Sequence, residues 1–458
     1  MRYYLLNLYL RRVLMAVVVD AVCFVFAATV SWFLLEPNFS AQQYAIATAG
    51  GLLASFVALY YTGAYGLTTL GSGRRTVESV LAAMGAAFVF ALAVYFSLRT
   101  PPRAMEALAH TAAIYFPLLL GGRLLFRMVS ALPRFSQHVL VIGTSDLGIA
   151  IAKAMRERSN LGARLVGFLS DETTHSRASI EGVPVLGKVH EIEKIIDHER
   201  IDRIVVASKS RNEYFPSEEL LAAKLGGRWV ESGVAFYERI TGRVYLRDLR
   251  PSYLIFTNGF RVSPVSALLK LALDITVSSI GLVLTAPVLA VCAIAIRLDS
   301  PGPILYRQER VGQRGRLFRV CKLRSMCHRA EDETGAVFSR EDDNRITRVG
   351  RLLRRTRLDE LPQLWNVLIG DMSLVGPRPE RPEFIDALSQ RYPYFRLRSA
   401  LKPGLTGWAQ IRHGYVNDVD GFEEKLALDL YYMKYRSFVM DLLILWKTAK
   451  TMVLLHGV

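Results

Sequence analysis

Four long apolar segments fall within the first 135 residues, and they constrain the fold more than any other feature. They run Val13–Leu35, Tyr44–Tyr65, Val77–Leu98 and Ala107–Phe126. Each is close to the ~20 residues a helix needs to cross the hydrocarbon core of a bilayer. The first is too long for a signal peptide and lacks a cleavage-site pattern. Residues 1–135 are therefore expected to form a four-span helical bundle. The composition agrees, with 51% of the chain hydrophobic. Loop charge sets the orientation. Arg2, Arg11 and Arg12 precede the first span, Arg74 and Arg75 separate the second from the third, and Arg123, Arg127 and Arg134 lie near the end of the fourth. The 36–43 loop has no Lys or Arg, so both ends of the bundle are expected on the cytoplasmic side. Arg99 and Arg103 argue the other way. Asp20, inside the first span, is either functional or paired with another helix or the interface.

The pattern changes at Gln137. A buried strand is expected at His138–Ile142, then the turn Gly143-Thr-Ser-Asp-Leu-Gly148 and an amphipathic helix to about Arg158. Strand-like runs recur at Leu165–Leu169, Val183–Leu186 and Ile201–Ala207. Strands alternating with helices predict a small parallel α/β domain over 136–262. The Gly143–Gly148 turn sits where a dinucleotide fingerprint would, with Asp171 at the end of the next strand. Ser145 replaces the middle glycine, which favours an α/β domain without nucleotide.

A last apolar run, Ile275–Ile296, carries no charged residue. Pro287 lies in its middle, where it removes a backbone hydrogen bond and bends a helix. Both flanks are basic: Arg261 and Lys270 before, Arg297, Arg307 and Arg310 after. A helix that enters from the cytoplasmic side, bends at Pro287 and returns fits both facts better than a spanning helix. Ser278, Ser279 and Thr285 are placed to satisfy freed backbone groups.

The net charge of +16 suits nucleic acid, anionic lipid or phosphorylated substrates. Beside so many apolar runs, lipid and phosphate are favoured over nucleic acid. The four cysteines form neither a zinc-ligand set nor a disulfide framework, which places the polar domains on the cytosolic side.

The polar C-terminal third carries three candidate clusters. In Arg354-Arg-Thr-Arg-Leu-Asp-Glu-Leu-Pro-Gln-Leu364 adjacent carboxylates follow three arginines, at or just before a helix start. The helix dipole and the guanidinium groups favour ionised Asp359 and Glu360. One carboxylate can then attack phosphorus while the other holds Mg²⁺. An ordinary acidic helix start is the plain alternative. Arg307–Arg329 holds eight bases, Lys322 and Arg324 among them, against the single acid Glu309. It is either a solvated basic face or a grip for diphosphate and lipid headgroups. Arg378 stands between Pro377 and Pro379, a stiff setting that suits phosphate recognition or a plain turn.

Taken together these residues resemble the bacterial sugar transferases, the monotopic phosphoglycosyl transferases. Five segments carry the likeness: Pro301–Gly312, Lys322-Leu-Arg-Ser-Met326, Leu358-Asp-Glu-Leu-Pro-Gln-Leu-Trp-Asn366, Gly370-Asp-Met-Ser-Leu-Val-Gly-Pro-Arg-Pro379 and Lys402-Pro-Gly-Leu-Thr-Gly-Trp-Ala-Gln410. It covers roughly 265–458, and the preceding domains are similar to the family's large form, known from exopolysaccharide and O-antigen initiation. The resemblance implies a four-span bundle, a Rossmann-like α/β domain, and an α-rich catalytic domain over 263–458 raised on a re-entrant membrane helix. It implies a UDP-sugar donor, often glucose or galactose, and an undecaprenyl phosphate acceptor. Asp359 would be the nucleophile, releasing UMP, and Glu360, with Asp359 beside it, would bind Mg²⁺. Lys322, Arg324, Arg354 and Arg378 would hold phosphates. Asp429 matches a further acidic position, and Pro287 the helix break, although Ala286 stands where some members have Ser. The implied setting is the cytoplasmic face of the bacterial inner membrane, among membrane lipids. The four spans and the central domain offer surface for a homodimer, and the sequence leaves the oligomeric state open. Two other readings stay open. One is a membrane-anchored NAD-dependent nucleotide-sugar oxidoreductase or epimerase centred on Gly143–Gly148. The other is a non-enzymatic polysaccharide assembly factor.

Overall fold

The computed structural model describes residues 4–34, 41–65, 73–98, 102–130, 136–157, 163–170, 179–207, 215–247, 249, 251–328, 330, 343–413 and 419–453. Asp171, Arg329 and the loop arginines Arg2, Arg99 and Arg134 lie outside them. The chain divides into two compact units, Met1–Thr241 and Gly242–Val458.

The first unit opens with four helices: α1 (Tyr4–Leu34), α2 (Ala41–Tyr61), α3 (Gly73–Leu98) and α4 (Pro102–Ser130). α1 packs along α4, and α3 packs against both α2 and α4. Small residues such as Ala16, Ala27, Ala58 and Ala83 let the backbones approach, and Phe24, Leu59, Tyr115 and Leu119 fill the space between them. Among the described residues, Val13–Leu34 and Ala109–Val129 are long and apolar enough to cross a membrane, while α2 supplies the shorter Thr48–Tyr61. Arg123, expected as a loop charge, is instead buried in the bundle. Its Nε and Nη2 donate to the two Asp20 carboxylate oxygens at 3.1 and 2.5 Å, and Tyr65 Oη donates to Asp20 at 2.8 Å. Asp20 is thus a helix-paired residue. A bidentate Arg–Asp pair is a stable way to keep both charges away from water.

The α/β part follows: β1 (Gln137–Ile142), α5 (Asp146–Glu157), β2 (Ala163–Leu169), β3 (Ser179–Ile180), β4 (Val183–Gly187), α6 (Ile192–His198), β5 (Arg203–Val206), α7 (Ser217–Leu225), β6 (Trp229–Ser232) and α8 (Gly233–Thr241). The sheet order is β3-β4-β2-β1-β5-β6, parallel throughout except for β3. β1 is central and buried on both faces, hence its unbroken apolar run. A ligand would bind at the strand ends between β1 and β5, where the strand order reverses. Here Ser145 Oγ donates to the Ala207 carbonyl at 2.5 Å. The first turn of α5 carries Asp146, the wrong charge for a phosphate. Both features weigh against a dinucleotide phosphate at this turn.

Residues 242–262, assigned by the sequence pattern to this α/β domain, pack instead within the second unit. Val244 is buried there with Leu388, Phe395 and Phe422, and Leu246, Leu249 and Phe260 pack around them. After the short α9 (Pro251–Phe256), the second unit is organised on α10 (Pro264–Asp299). The Ser263 hydroxyl caps it and Pro264 occupies its first turn. Pro287 does not end this helix, which runs 36 residues in all, to Asp299. Thr285 Oγ1 donates to the Gly281 carbonyl at 2.7 Å, not to the Val283 carbonyl that a proline at 287 leaves unbonded. One face of α10, through Asp274, Ser278, Leu282, Leu289, Cys292 and Ile296, lies against the domain. The opposite face exposes Leu268, Leu271, Ile275, Val283, Leu284, Val291, Ile294 and Leu298. Upon α10 sit the hairpin β7 (Leu305–Val311) and β8 (Leu317–Leu323), α11 (Arg348–Thr356), α12 (Gln363–Leu368), β9 (Ser373–Val375), α13 (Pro382–Arg391), β10 (Gly404–Thr406), α14 (Trp408–His413), α15 (Val419–Tyr435) and α16 (Phe438–Val453).

Candidate active site

The site forms where α11 gives way to α12. Thr347 Oγ1 caps α11 by accepting from Gly350 N at 3.0 Å. The helix stops at Arg357, whose φ of 57° is left-handed, a conformation that glycine or asparagine adopts more readily than arginine. That reversal starts a single 3₁₀ turn, Leu358–Glu360, in which Asp359 points inward and is 7% exposed. Backbone strain held by the surrounding packing often marks a functional position. Gln363 then begins α12. Its Leu364 rests on α10 at Gly281, where a Cβ would come within 3.0 Å of the leucine side chain.

β8 supplies the facing wall. Asn366, buried in α12, accepts from Cys321 N at 3.0 Å and donates to the Arg319 carbonyl at 2.8 Å. This amide fastens the strand to the helix and sets Lys322 opposite Glu360. Lys322 Nζ donates to Glu360 Oε1 at 3.2 Å, and Arg378 Nη2 donates to the same oxygen at 2.7 Å. Arg357 stands 4.0 Å from the other oxygen. Arg354 donates to Ser325 Oγ at 2.9 Å and lies close enough to act on Asp359 electrostatically. Two carboxylates thus sit among four cations, an excess of positive charge suited to phosphate groups.

The two carboxyls titrate in opposite directions. Burial alone would raise Glu360, but Arg378 and Lys322 outweigh it and hold the group well below the usual carboxylate range. Burial does raise Asp359, helped by the charge of Glu360 and only partly opposed by Lys322, Arg354 and Arg378. The sequence predicts an Asp359 ionised by its surroundings, and this reverses the direction. The side chain sits deep enough that desolvation exceeds the pull of the cations.

Asp359, Glu360, Lys322, Arg354 and Arg378 therefore come together, whereas Arg324 and Asp429 do not join them. Arg324 turns toward the end of α10, donating to the carbonyls of Pro301 and Ser300 at 2.7 Å each. Helix C-termini present unsatisfied carbonyls, and a buried guanidinium answers them. Asp429 is 1% exposed and pairs with Arg398 Nε at 2.7 Å. Arg398 in turn donates to the Arg378 carbonyl at 3.0 Å and neighbours Glu380 at 3.6 Å. Lys425 completes this group by binding Glu380. Asp429 thus acts on the site only through the backbone of Arg378. The sequence gives no hint of Arg398, but Asn366 has a signal, as an amide inside the apolar stripe of α12.

Comparison with known proteins fits this arrangement. A family profile described as bacterial sugar transferase matches residues 265–455. The "UDP-glucose:undecaprenyl-phosphate glucose-1-phosphate transferase" of Caulobacter vibrioides is 43% identical over 210 residues, which cover 45% of this chain and 78% of that protein. The chain belongs to the bacterial sugar transferase family. Another member, the "UDP-N-acetylgalactosamine-undecaprenyl-phosphate N-acetylgalactosaminephosphotransferase" of Aeromonas hydrophila, is 43% identical over 214 residues. That match spans 47% of this chain and half the length of the Aeromonas protein. The "Exopolysaccharide production protein PSS" of Rhizobium leguminosarum bv. phaseoli is 41% identical over 40% of this chain and 93% of its own. A second profile, described as a CoA-binding domain, matches residues 60–214. Among solved structures, a Rex-family repressor covers 34% of this chain and 87% of its own at 16% identity, with a TM-score of 0.20, too slight a likeness to carry an argument. The whole cluster around Asp359 lies inside the sugar transferase match.

Proposed function

We propose that this sugar transferase moves a sugar 1-phosphate from a UDP-sugar to undecaprenyl phosphate through a covalent intermediate on Asp359. The observation that carries the reading is a buried Asp359 side by side with Glu360 inside a ring of four cations. An Asp359 oxygen bonds to the sugar-linked phosphorus, the bond from that phosphorus to the bridging oxygen breaks, and UMP leaves with the electron pair. An oxygen of undecaprenyl phosphate then attacks the same phosphorus and the Asp359 carboxylate departs unchanged. No proton needs to move, so the protein's task is positioning and charge stabilisation. Lys322, Arg354 and Arg378 carry that task.

Magnesium is commonly held by one or two carboxylates while substrate phosphates supply further ligands. Adjacent Asp359 and Glu360 meet that minimum, and no group of three potential ligands occurs among the described residues. Glu360 would hold the ion, which when bound offsets phosphate charge.

The path of α10 supports a re-entrant reading with the domain on the cytoplasmic face of the inner membrane. Near its start, Lys270 bonds Asp441 and the Val375 carbonyl, and Asp274 accepts from Leu374 N. At its end, Asp299 accepts from Val349 N. A straight helix of this length is ~54 Å long, well beyond a ~30 Å hydrocarbon core. One polar domain holds both ends, which suits a helix dipping into a single leaflet. The acceptor phosphate lies at that same interface. Asp146 and the Ser145–Ala207 bond weigh against a nicotinamide-dependent oxidoreductase. A pure assembly factor leaves the buried dyad without a role.

Incubation with UDP-sugars and Mg²⁺ in the absence of lipid should add one sugar-phosphate mass to the enzyme at Asp359, read by intact mass and peptide mapping. Robust lipid-dependent turnover with no adduct from any UDP-sugar would exclude the covalent step.

A further inference from the structure

A concavity shares Arg378 with the dyad. It is a cleft of about 380 Å³ between the β7–β8 turn, the Pro377–Pro382 segment and the stretch from Phe395 to Pro403. That volume lies in the range of small-molecule sites. Pro377, Pro379, Pro382 and Pro403 line it, so its backbone has little freedom to collapse. Guanidiniums hold two carbonyls of the same wall, buried Arg398 that of Arg378 and half-buried Arg310 that of Pro379, at 3.0 and 3.1 Å. Gln313 donates to the Ala400 carbonyl at 3.1 Å and closes the turn onto the opposite wall. The cleft is thus preformed.

Its chemistry is anionic recognition beside apolar surface. Four guanidiniums, of Arg314, Arg378, Arg396 and Arg398, line it against the two carboxylates of Glu380 and Asp386. Arg396 is engaged by Asp386 at 2.6 Å, and Arg398 by Asp429. Arg314 is exposed and makes no ion pair among the described residues. Its φ is 57°, a left-handed backbone that glycine would adopt at lower cost. An arginine held there, beside Gly315, aims a charged side chain from a strained turn.

The position of the cleft adds direction. Arg378 lines it and also binds Glu360, so the two sites share a residue. In the hairpin Lys322 pairs with Tyr306, at the end fastened to α10 through Arg324, whereas the turn begins after Val311. Those five residue steps place the turn ~17 Å further along the strand. An extended nucleotide diphosphate sugar spans a comparable distance. Starting from Asp359, it would run along the hairpin toward its turn, away from the end of α10 that Arg324 holds.

We propose that this cleft binds the nucleotide half of the donor, with Arg378 and Arg314 on its phosphates and the base against the proline-lined wall. The proposal rests on the transferase reading above. Its test is steady-state UMP release by the full-length enzyme in nanodiscs, with donor and undecaprenyl phosphate varied separately. Arg314→Asn keeps a residue that tolerates the left-handed turn and removes the charge. It should raise the donor KM about tenfold, as for one lost charge-assisted contact, and weaken inhibition by UMP in parallel. The kcat and the acceptor KM should hold. Ser399→Trp, which fills the cleft from another wall, should raise the donor KM at least as much. An unchanged donor KM in both variants, or a rise confined to the acceptor KM, overturns the cleft assignment alone. Absence of UMP release by the wild-type enzyme with every UDP-sugar overturns the transferase reading and this proposal with it.

Discussion

Two buried clusters of charge meet at Arg378, and they are built on opposite plans. Its side chain joins Asp359, Glu360 and Lys322, while its carbonyl joins Arg398, Asp429, Glu380 and Lys425. In the second cluster two carboxylates face two cations, three of the four groups buried and Lys425 half-buried, and each finds its partner within the protein. Such a group fixes geometry and has no charge to spare for a ligand. The first cluster has two carboxylates and four cations. That excess of cations over carboxylates suits a phosphate-bearing substrate. Burial also leaves Asp359 raised there while Glu360 stays depressed, so the neighbouring carboxyls differ in the way the proposed split of roles requires. Balance marks the scaffold and imbalance marks the site.

The widest separation between the clusters should come from paired substitutions. Asp359→Asn should abolish the covalent adduct and cut UMP release by at least ~10³-fold with the fold intact, as for loss of a nucleophile. Arg398→Ala should act through stability, because it leaves Asp429 buried without its cation, at a cost of about 3–5 kcal/mol. Thermal melting and adduct formation, measured on the same samples, separate the two. If Arg398→Ala melts like wild type yet forms no adduct, the division into scaffold and site is wrong.

A smaller effect is expected at Arg324. Its sequence setting, between Lys322 and Ser325 in a basic run, suggests a phosphate contact. The structure commits its guanidinium to the carbonyls that end α10. Arg324→Ala should therefore lower stability by about 2–3 kcal/mol through lost charged hydrogen bonds. The KM for both substrates should stay within about twofold. A large rise in KM with unchanged melting would restore the phosphate-binding role.

These two cases show what can be read from a sequence of this kind. Apolar segments declare themselves by length, because the bilayer thickness fixes how many residues a helix must supply. The dyad is visible as adjacent acids after three arginines, a pattern that alone also fits an ordinary acidic helix start and gains its meaning from the motifs around it. The destination of a single arginine is not visible. Arg123 and Arg324 look like surface charges within basic surroundings, and only the packing turns one onto Asp20 and the other onto helix carbonyls. The direction of the Asp359 shift is hidden for a related reason. Nearby arginines are visible in the chain, but the burial that outweighs them is set by β8 and α12 together. The left-handed turn at Arg357 is equally silent, since most left-handed positions are announced by glycine.

The pH profile probes that hidden balance and gives the smallest effect. In the proposed mechanism the first half-reaction needs ionised Asp359, so its rate should fall as pH drops through the Asp359 pKa, tenfold per unit below it. Because burial raises that pKa, the acid limb should lie above the ~3.9 of an ordinary aspartate. Glu360 is held well below the usual range and stays ionised throughout, so the limb belongs to Asp359. Among the charges that lower Asp359, Lys322 acts most strongly. Lys322→Met removes that pull and should move the limb to still higher pH, in addition to any loss of rate. Single-turnover UMP release, followed from acid to neutral pH in both proteins, reads the two limbs directly. A limb that moves to lower pH in Lys322→Met would mean that Asp359 is not the titrating nucleophile, and that the imbalance of the first cluster serves some step other than its attack.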